Sequence, residues 1–197
     1  MSVSFNNSET KQNLMRAFAG ESQARNRYTF AADMAKQQKL FGLERLFLFT
    51  AEQERAHAKI FFDFLKECND KNITLDAAYP VNVDTSLIYQ LSTAHHNEYK
   101  EYEEIYPHFG EVAQKEGYPM IAHAFKEIAK IEKVHGDIFS KYLEHMENNT
   151  LFKEPTASHF LCLNCGYIFE GTEVPERCPV CKEEQGYFVR IEDAPFH

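Results

Sequence analysis

The chain has 197 residues, of which 44% are hydrophobic, and its 30 acidic and 21 basic side chains give a formal charge of −9. The acidic excess argues against nucleic acid as a partner, because phosphate contacts need clustered cations. The chain has no apolar run near the roughly 18 residues needed to span a bilayer, and its polar amino terminus lacks the apolar segment of a secretory signal. We therefore expect a folded cytoplasmic protein that binds neither nucleic acid nor a membrane.

Residues 6–147 carry four apolar stripes that advance by three and four residues, the period of helices packed in a bundle. We predict four long helices, the second over about 42–68, with a loop at 69–84 that crosses to the third helix. The fourth helix is expected to open at Pro119, since proline suits a first helical turn. The sequence therefore predicts a mainly α fold built on a four-helix bundle.

The third stripe contains a proline, Pro107. Proline has no N–H to donate and clashes with the preceding turn, so we expect a kink or a local break at this point. If the step of three and four continues past Glu101, the stripe keeps the same register to its end. The core-facing residues predicted for this end are Ile105, Phe109 and Val112.

The character of the chain changes after residue 147. Residues 148–158 show no periodicity and are predicted to be a linker, whereas residues 159–197 are rich in glycine, proline and aromatic side chains. About 40 residues bury too little surface to fold without a metal or disulfides. We predict two domains, a helical bundle over 1–147 and a small C-terminal domain over 159–197.

Two copies of Glu-x-x-His lie on the core stripes of the second and fourth helices, at 54–57 and 132–135. A spacing of three puts both side chains of each copy on one face of a helix. The first and third helices add one core glutamate each, Glu21 and Glu98, which precede the two motifs by 33 and 34 residues. The candidate ligands are Glu21, Glu54, His57, Glu98, Glu132 and His135.

Carboxylates on a core-facing stripe need a compensating partner, because burial of an unpaired charge is strongly unfavourable. Two lone glutamates with two Glu-x-x-His motifs form the dinuclear iron or manganese site of ferritin-like bundles. Carboxylates bridge two cations about 4 Å apart, and imidazole suits iron. A solvated helix face would explain one motif alone. Two motifs, both in phase with apolar stripes and both matched by a glutamate, predict a dinuclear metal site.

Three further side chains lie beside this predicted site. Glu101 follows Glu98 by three residues and is either a surplus ligand or an exposed glutamate of the charged stretch KEYEE. Tyr28 and Tyr106 lie within two turns of candidate ligands. They are either plain core aromatics or hydrogen-bond donors to ligand carboxylates.

The C-terminal region contains two Cys-x-x-Cys motifs with 12 residues between them, formed by Cys162, Cys165, Cys178 and Cys181. An odd total of five cysteines in a chain without a secretory signal favours metal over disulfides. Four thiolates at this spacing make a tetrahedral site for zinc or a single iron, and the spacing alone leaves both metals open. The remaining cysteine, Cys68, is predicted to be a small buried hydrophobe.

Several stretches resemble the rubrerythrin family over nearly the whole chain. They are AFAGESQARNRY (17–28), EQERAHAKIFF (52–62), HHNEYKEYEEIYP (95–107), IEKVHGDIF (131–139) and LCLNCGYIFEGTEVPERCPVC (161–181). The flanks of the cysteine motifs are similar to those of rubredoxin, which favours iron at the four cysteines. The resemblance implies a ferritin-like bundle with two irons, followed by a rubredoxin-like domain with one iron.

The resemblance also implies an activity, that of a non-haem di-iron peroxidase that reduces hydrogen peroxide to water in oxidative-stress defence. By motif, Glu101 matches an additional iron ligand that exchanges with His57 when the redox state changes, and Tyr28 and Tyr106 match tyrosines that hydrogen-bond ligand carboxylates. Electrons would pass through the four-cysteine iron from an external donor such as rubredoxin and its NAD(P)H-dependent reductase. The family further implies a homodimer or higher homo-oligomer, in some members domain-swapped.

Two other functions remain compatible with the same residues. A ferroxidase or oxygen-reducing oxidase would use the same di-iron ligands, although an attached electron-carrying domain favours peroxide reduction. An iron-binding module with a structural zinc site would need no catalysis. Colour separates this last alternative, because ferric thiolate is red and zinc thiolate is colourless.

Overall fold

The computed structural model describes residues 3–194, which form five α-helices and one three-stranded sheet. The helices are α1 (Glu9–Gln37), α2 (Phe41–Phe64), α3 (Leu87–Lys100), α4 (Tyr106–Glu116) and α5 (Pro119–Glu147). A π-helical segment, Glu101–Ile105, joins α3 to α4 without interruption, so these three elements form one arm of a four-helix bundle. The strands are β1 (Lys153–Cys162), β2 (Ile168–Glu173) and β3 (Phe188–Arg190). The predicted mainly α fold with a small C-terminal β region is confirmed.

The amino end of α1 is capped from two sides. The hydroxyl of Ser8 accepts a hydrogen bond from the backbone N–H of Lys11 at 3.1 Å, as expected of a serine at this position. The carboxylate of Glu116, at the end of α4, accepts the backbone N–H groups of Glu9 and Thr10 at 3.0 and 2.8 Å. A negative charge at a helix amino terminus is favourable, and this one also ties α1 to α4.

Buried apolar side chains form two separate clusters within the bundle. Along α1, Leu14 and Ala17 belong to one cluster, and Ala24 and Tyr28 belong to the other. Glu21 lies between them and is 1% exposed. The same order recurs on the other arms, so a buried charged layer separates two apolar ends.

The π-helical segment changes the register of the third arm. The fully buried residues beyond it are Tyr106, Gly110 and Ala113. The predicted Ile105 and Phe109 still pack against the core but are only partly buried, so the centre of the buried face lies one position away from the prediction. In the π turn the backbone N–H of Tyr106 bonds the carbonyl of Glu101, five residues earlier. The wider turn takes up one extra residue. The arm also runs through Pro107 without a break. The proline directly follows the π turn, where the helical hydrogen-bond pattern already changes.

The predicted linker at 148–158 is partly a strand, because β1 begins at Lys153. β1 is the central strand and pairs antiparallel with β2 and with β3. The pairing with β2 shifts register between Lys153 and Ser158, and such a bulge removes the alternation by which a strand is recognised in a sequence. The domain limits 1–147 and 159–197 stay a prediction.

The segment that leads into β3 docks on the turn between α1 and α2. A Cβ added to Gly186 would lie 1.7 Å from the carbonyl oxygen of Lys39, so only glycine permits this approach. The rings of Phe41 and Tyr187 stack with centroids 4.0 Å apart, and Lys39 pairs with Glu184 at 2.7 Å. Among residues 3–194, no helix combines the length and the apolarity that a membrane crossing requires.

Candidate metal centres

Polar side chains from all four arms converge on the charged layer of the bundle. Two groups of four have ligand atoms that all lie within 4.8 Å of one another. The first group is Glu21, Glu54, His57 and Glu132, and the second is Glu54, Glu98, Glu132 and His135. Two glutamates, one from each Glu-x-x-His motif, belong to both groups. The arrangement therefore offers two adjacent cation positions with two shared carboxylates.

The shared glutamates turn one oxygen toward each histidine. His57 Nδ1 lies 3.1 Å from Glu132 Oε1 and 3.5 Å from Glu54 Oε2. His135 Nδ1 lies 2.9 Å from Glu132 Oε2 and 3.0 Å from Glu54 Oε1. The two imidazole centroids are 5.9 Å apart. This is the geometry expected of carboxylates that bridge two metal ions.

Eight inward-facing atoms of this layer are buried and, among the described residues 3–194, have no hydrogen-bond partner. They are Glu21 Oε2, both Oε atoms of Glu54 and of Glu132, Glu98 Oε2, and the Nδ1 atoms of His57 and His135. Buried polar atoms are almost always paired, and a group of buried carboxylates needs positive charge. The donor set of oxygens and two imidazole nitrogens fits two iron ions.

The pKa values of Glu98 and His57 in this layer are both raised. Burial raises the pKa of Glu98, and the charge of Glu54 adds to the effect, so that the pKa is about 8. Burial lowers the pKa of His57, but the carboxylates of Glu132 and Glu54 outweigh it and raise this pKa to about 9. The layer therefore holds protons that bound cations would displace.

Both candidate tyrosines donate hydrogen bonds to the layer. The Tyr28 hydroxyl donates to Glu98 Oε1, and the Tyr106 hydroxyl donates to Glu21 Oε1. Burial raises the pKa of each phenol well above its usual value, with nearby carboxylates adding to the effect. Each phenol therefore remains protonated and donates its hydrogen bond. Its acceptor is in each case the glutamate that belongs to only one of the two ligand groups.

One functional contact was missed by the sequence analysis. His135 Nε2 lies 2.9 Å from Gln53 Oε1, and since the amide oxygen only accepts, the nitrogen carries the proton and donates. This fixes the tautomer in which His135 Nδ1 is free for a metal. Gln53 precedes Glu54 directly, off the core stripe, and nothing in its spacing marked it.

Glu101 lies in the π-helical segment and outside both groups. It is half-buried, and its Oε1 is 4.0 Å from the position of a Cβ added to Gly20. Burial raises the pKa of Glu101 well above its usual value, and the charges of Glu98 and Glu132 add to this. Six of the seven bundle ligands suggested by the sequence lie in the two groups, and Glu101 is the seventh, adjacent to them.

The four cysteines of the C-terminal region form the second centre. Their sulfur atoms all lie within 4.8 Å of one another, with Cys162 and Cys181 at 3.7 Å and Cys165 and Cys178 also at 3.7 Å. Metal–sulfur bonds of about 2.3 Å in a tetrahedron place sulfurs about 3.8 Å apart. The four sulfurs thus have the spacing of a tetrahedral metal site, and none is in a disulfide.

The two cysteine motifs share one turn geometry. Gly166 donates its N–H to the carbonyl of Cys162 at 2.8 Å, and Lys182 donates to that of Cys178 at 3.0 Å. Both donors have positive φ, +77° and 66°. The fifth cysteine, Cys68, is buried in an apolar cluster of the bundle.

The thiols of this centre differ in their surroundings. Burial raises the pKa of Cys162 to about 12. Hydrogen bonds from the Asn164 side chain and the Glu183 backbone lower the pKa of Cys181 to about 6. One thiol therefore deprotonates readily, whereas a second needs a bound cation to do so.

Comparison with known proteins identifies both regions. The rubrerythrin family model matches residues 12–143, and the model described as the rubredoxin-like domain of rubrerythrin matches residues 160–189. Rubrerythrin-1 of Clostridium acetobutylicum is 42% identical over 188 residues, which cover 94% of this chain and 95% of the relative. Rubrerythrin of Clostridium perfringens is 40% identical over 186 residues, with coverages of 94% and 95%.

A solved structure of nigerythrin in its fully reduced, all-ferrous state is similar in fold, with a TM-score of 0.63 and 29% identity over 96% of this chain and 88% of that one. The bundle is therefore ferritin-like, its glutamate–histidine layer is a di-iron site, and the four cysteines form a rubredoxin-like iron site. A family model that matches most of the chain, and relatives about 40% identical over nearly all of it, show that the chain belongs to the rubrerythrin family, a family of oxidoreductases.

Proposed function

We propose that this chain is a peroxidase that reduces hydrogen peroxide to water with electrons received through its four-cysteine iron site. The observation that carries the proposal is the pairing, in one chain, of a buried di-iron layer with a one-electron carrier site. The reaction consumes two electrons and two protons and yields two water molecules. Bound iron supplies the two electrons, one from each metal.

We propose distinct roles for the six clustered side chains. Glu21 with His57 would hold one metal and Glu98 with His135 the other, whereas Glu54 and Glu132, which belong to both groups, would be shared between the two. Two observations support this assignment. The ligands fall into two groups of four, and each shared glutamate has one oxygen near His57 and the other near His135. Gln53 positions His135 through its hydrogen bond.

Glu101 is proposed to exchange with His57 as a ligand when the site is oxidised. The structure has the histidine inside the cluster and the glutamate outside it. Replacement of a neutral imidazole by a carboxylate adds one negative charge, which favours the more highly charged metal pair. The π-helical location of Glu101 supports a functional role, since π turns are frequent at functional sites.

The tyrosines are proposed to keep the glutamates aligned and to supply donors in a dry interior. Tyr28 and Tyr106 are 2% and 1% exposed, and each donates to a carboxylate oxygen. Loss of either hydroxyl would leave a buried acceptor unpaired. Their proposed task is to hold Glu98 and Glu21 in place while the charge of the site changes.

Electrons are proposed to enter at the C-terminal site from an external donor such as rubredoxin and its NAD(P)H-dependent reductase. Cys165 is exposed and Cys181 is partly exposed, whereas Cys162 and Cys178 are buried. One edge of the site is therefore accessible to a donor protein. We further propose a cytoplasmic homodimer or higher homo-oligomer, with domain-swapped helices as one possible arrangement.

The decisive experiment compares oxidants on the iron-loaded, fully reduced chain. We expect one hydrogen peroxide to oxidise each di-iron site, and to do so much faster than dioxygen at equal concentration, as followed anaerobically by stopped-flow absorption. A red visible spectrum from the four-cysteine site, recorded on the same iron-loaded chain before its reduction, excludes zinc there. Faster oxidation by dioxygen, or net conversion of added ferrous ion to ferric product, would overturn the peroxidase proposal in favour of an oxidase or ferroxidase.

A further inference from the structure

A cavity of about 730 Å³ lies beneath the segment that crosses from α2 to α3. It opens to solvent on one side and is lined by α1, by residues 76–82 of the crossover segment and by the arm that contains the π turn. Hydrogen peroxide would fill only a small part of this space, whereas pockets of about 300–1,000 Å³ hold much larger small molecules. The volume therefore indicates a ligand larger than hydrogen peroxide.

The cavity borders the di-iron layer. Glu101 and Tyr106 line it, and the Tyr106 hydroxyl donates to Glu21. Gly20 lines it too, and a Cβ there would lie 3.7 Å from Tyr79 and 4.0 Å from Glu101. The absence of a side chain at Gly20 therefore keeps the space between the cavity and Glu101 open.

A second cavity serves as an internal comparison. It measures about 620 Å³ between α4 and α5 and also reaches Tyr106. None of the six clustered ligands lines either cavity, but Glu101 lines only the first. A ligand in this second cavity would face the ring of Tyr106 rather than the metal positions. Connection to Glu101 therefore distinguishes the cavity under the crossover segment.

The crossover segment is held in place as a wall. The Tyr79 hydroxyl donates to the carbonyl of Arg16 at 2.9 Å, and Arg16 Nε donates to the carbonyl of Asp76 at 3.2 Å. Asn82 Oδ1 accepts from Arg27 at 3.0 Å. These contacts tie the segment to α1 on both sides of the cavity.

The lining indicates the chemical class of the ligand. Apolar and aromatic side chains form much of the wall, and charged groups of both signs stand among them. The apolar group includes Ala17, Ala78, Tyr79, Ile105 and Phe109, the cationic group Arg27 and Lys100, and the anionic group Asp76 and Glu104 besides Glu101. An apolar substituent would be buried against the first group, and a polar end would be directed toward Glu101.

We propose that this cavity is a substrate pocket and that the chain reduces organic hydroperoxides with an apolar substituent, in addition to hydrogen peroxide. The proposal rests on the proposed peroxidase function. The O–O bond of ROOH breaks with two electrons from the reduced di-iron site, and two protons from solvent in the cavity complete the products ROH and water. The substituent R occupies the cavity and the peroxide end lies beside Glu101.

The test begins with binding, without any turnover. We would titrate the oxidised, iron-loaded full chain with 2-phenyl-2-propanol, the alcohol formed from cumene hydroperoxide, and follow the heat of binding. Gly20→Leu places a side chain between the cavity and Glu101, and is expected to weaken binding at least about tenfold. The control is Ser22→Leu, on the same helix, which lines a different cavity between α1 and α2 and should leave binding unchanged.

A second pair of variants guards against a folding defect in Gly20→Leu. Tyr79→Ala removes one wall of the pocket and should also weaken binding of the alcohol, whereas Tyr89→Ala should not. The two tyrosines are matched, at 37% and 38% exposed, and only the first lines the pocket. Circular dichroism and iron content of all four variants should equal those of the parent chain.

The kinetic part measures oxidation of the reduced di-iron site by cumene hydroperoxide and by hydrogen peroxide. Gly20→Leu should slow the organic substrate at least about tenfold more than hydrogen peroxide. Equal binding of the alcohol by the parent chain and Gly20→Leu, or an equal slowing of both peroxides, would overturn the proposal that the cavity is a substrate pocket. Slow oxidation by hydrogen peroxide in the parent chain would instead overturn the peroxidase function, while the binding result would still judge the pocket.

Discussion

The two metal centres are built on opposite principles. The di-iron layer lies inside a bundle whose two apolar clusters pack above and below it, and its four glutamates are at most 1% exposed. In the C-terminal centre, two of the four ligands, Cys162 and Cys178, themselves belong to the small core of the domain. The bundle thus has a fold that can hold a metal, whereas the small domain uses its metal as part of the fold.

The largest effect expected from this difference is the loss of the C-terminal fold on removal of a thiol. Cys178→Ser should unfold the sheet, because a metal bound to four thiolates contributes about 10 kcal/mol or more to such small domains. The bundle should keep its helices. Amide exchange of the sheet residues, with circular dichroism for the bundle, would check this.

Cys68→Ser is the control for that variant, since Cys68 lies in the bundle core and far from the other cysteines in sequence. It should leave the C-terminal sheet protected from exchange. A sheet that stays protected in Cys178→Ser would contradict the view that the metal holds the domain together.

The next effect concerns the tautomer of a bundle ligand. Gln53→Leu removes the acceptor for His135 Nε2 and should weaken metal binding in the bundle by about 10–100-fold, as is usual for partners of metal-bound histidines. Gln53→Glu keeps an acceptor and should retain most of the affinity. Competition with a chromophoric chelator would measure both, and equal affinities for Leu and Glu at this position would refute the role of the hydrogen bond.

A smaller effect is expected when the outer carboxylate is removed. Glu101→Ala should retain two irons in the bundle and the spectrum of the C-terminal site, because Glu101 lies outside both ligand groups. Turnover with hydrogen peroxide should fall about tenfold or more, which corresponds to ~1.4 kcal/mol in the barrier. Glu103→Ala, two residues further along the same π-helical segment, is the control, because Glu103 is exposed and does not line the cavity. Unchanged steady-state rates in Glu101→Ala would contradict the ligand exchange.

The smallest effect is a pH dependence of the metal-free bundle. The folded pKa of Glu98 is raised to about 8 and that of His57 to about 9, whereas their usual values are 4.5 and 6.5. In both cases the folded state binds more protons, so the contribution of these two groups to stability is greatest at low pH and is lost as the pH rises through these values. The melting temperature of the metal-free chain should therefore fall by several degrees between pH 5 and pH 9.

Iron loading should flatten this dependence, because metal ions replace the bound protons. The C-terminal centre should behave in the opposite way. Its thiols must lose protons to bind a metal, so a higher pH should favour metal binding there. A melting temperature of the metal-free bundle that rises over the same interval would show that the raised pKa values do not govern its stability.

Sequence patterns predicted most of the fold and most of both sites. The apolar stripes placed Glu21 and Glu98 in phase with the Glu-x-x-His motifs, and the cysteine spacing gave all four thiols of the second centre. The pattern failed where the backbone leaves its regular period. One extra residue in the π turn moved the buried positions from Ile105 to Tyr106 and beyond, and a bulge hid the first half of β1.

Sequence patterns also failed to predict contacts between elements that lie far apart in the chain. The hydrogen bond from His135 to Gln53 joins residues 82 apart, and the fit of Gly186 against Lys39 joins the sheet to a distant turn. Neither has a local signature, because a lone glutamine or glycine carries no period or spacing. The cavity under the crossover segment has the same origin, since it depends on how residues 69–86 lie across two helices.

The charged layer between the two apolar clusters also bears on how the chain opens. Isolated helices fray from their ends, where the fewest hydrogen bonds and contacts restrain them. Here the ends of the bundle are well packed, whereas its middle contains four glutamates whose mutual repulsion only cations or protons relieve. Without iron, amides near the middle of the helices should exchange with solvent sooner than amides in either apolar half. The two metal ions therefore stabilise the middle of the bundle, and when they are lost local unfolding should begin there rather than at the helix ends.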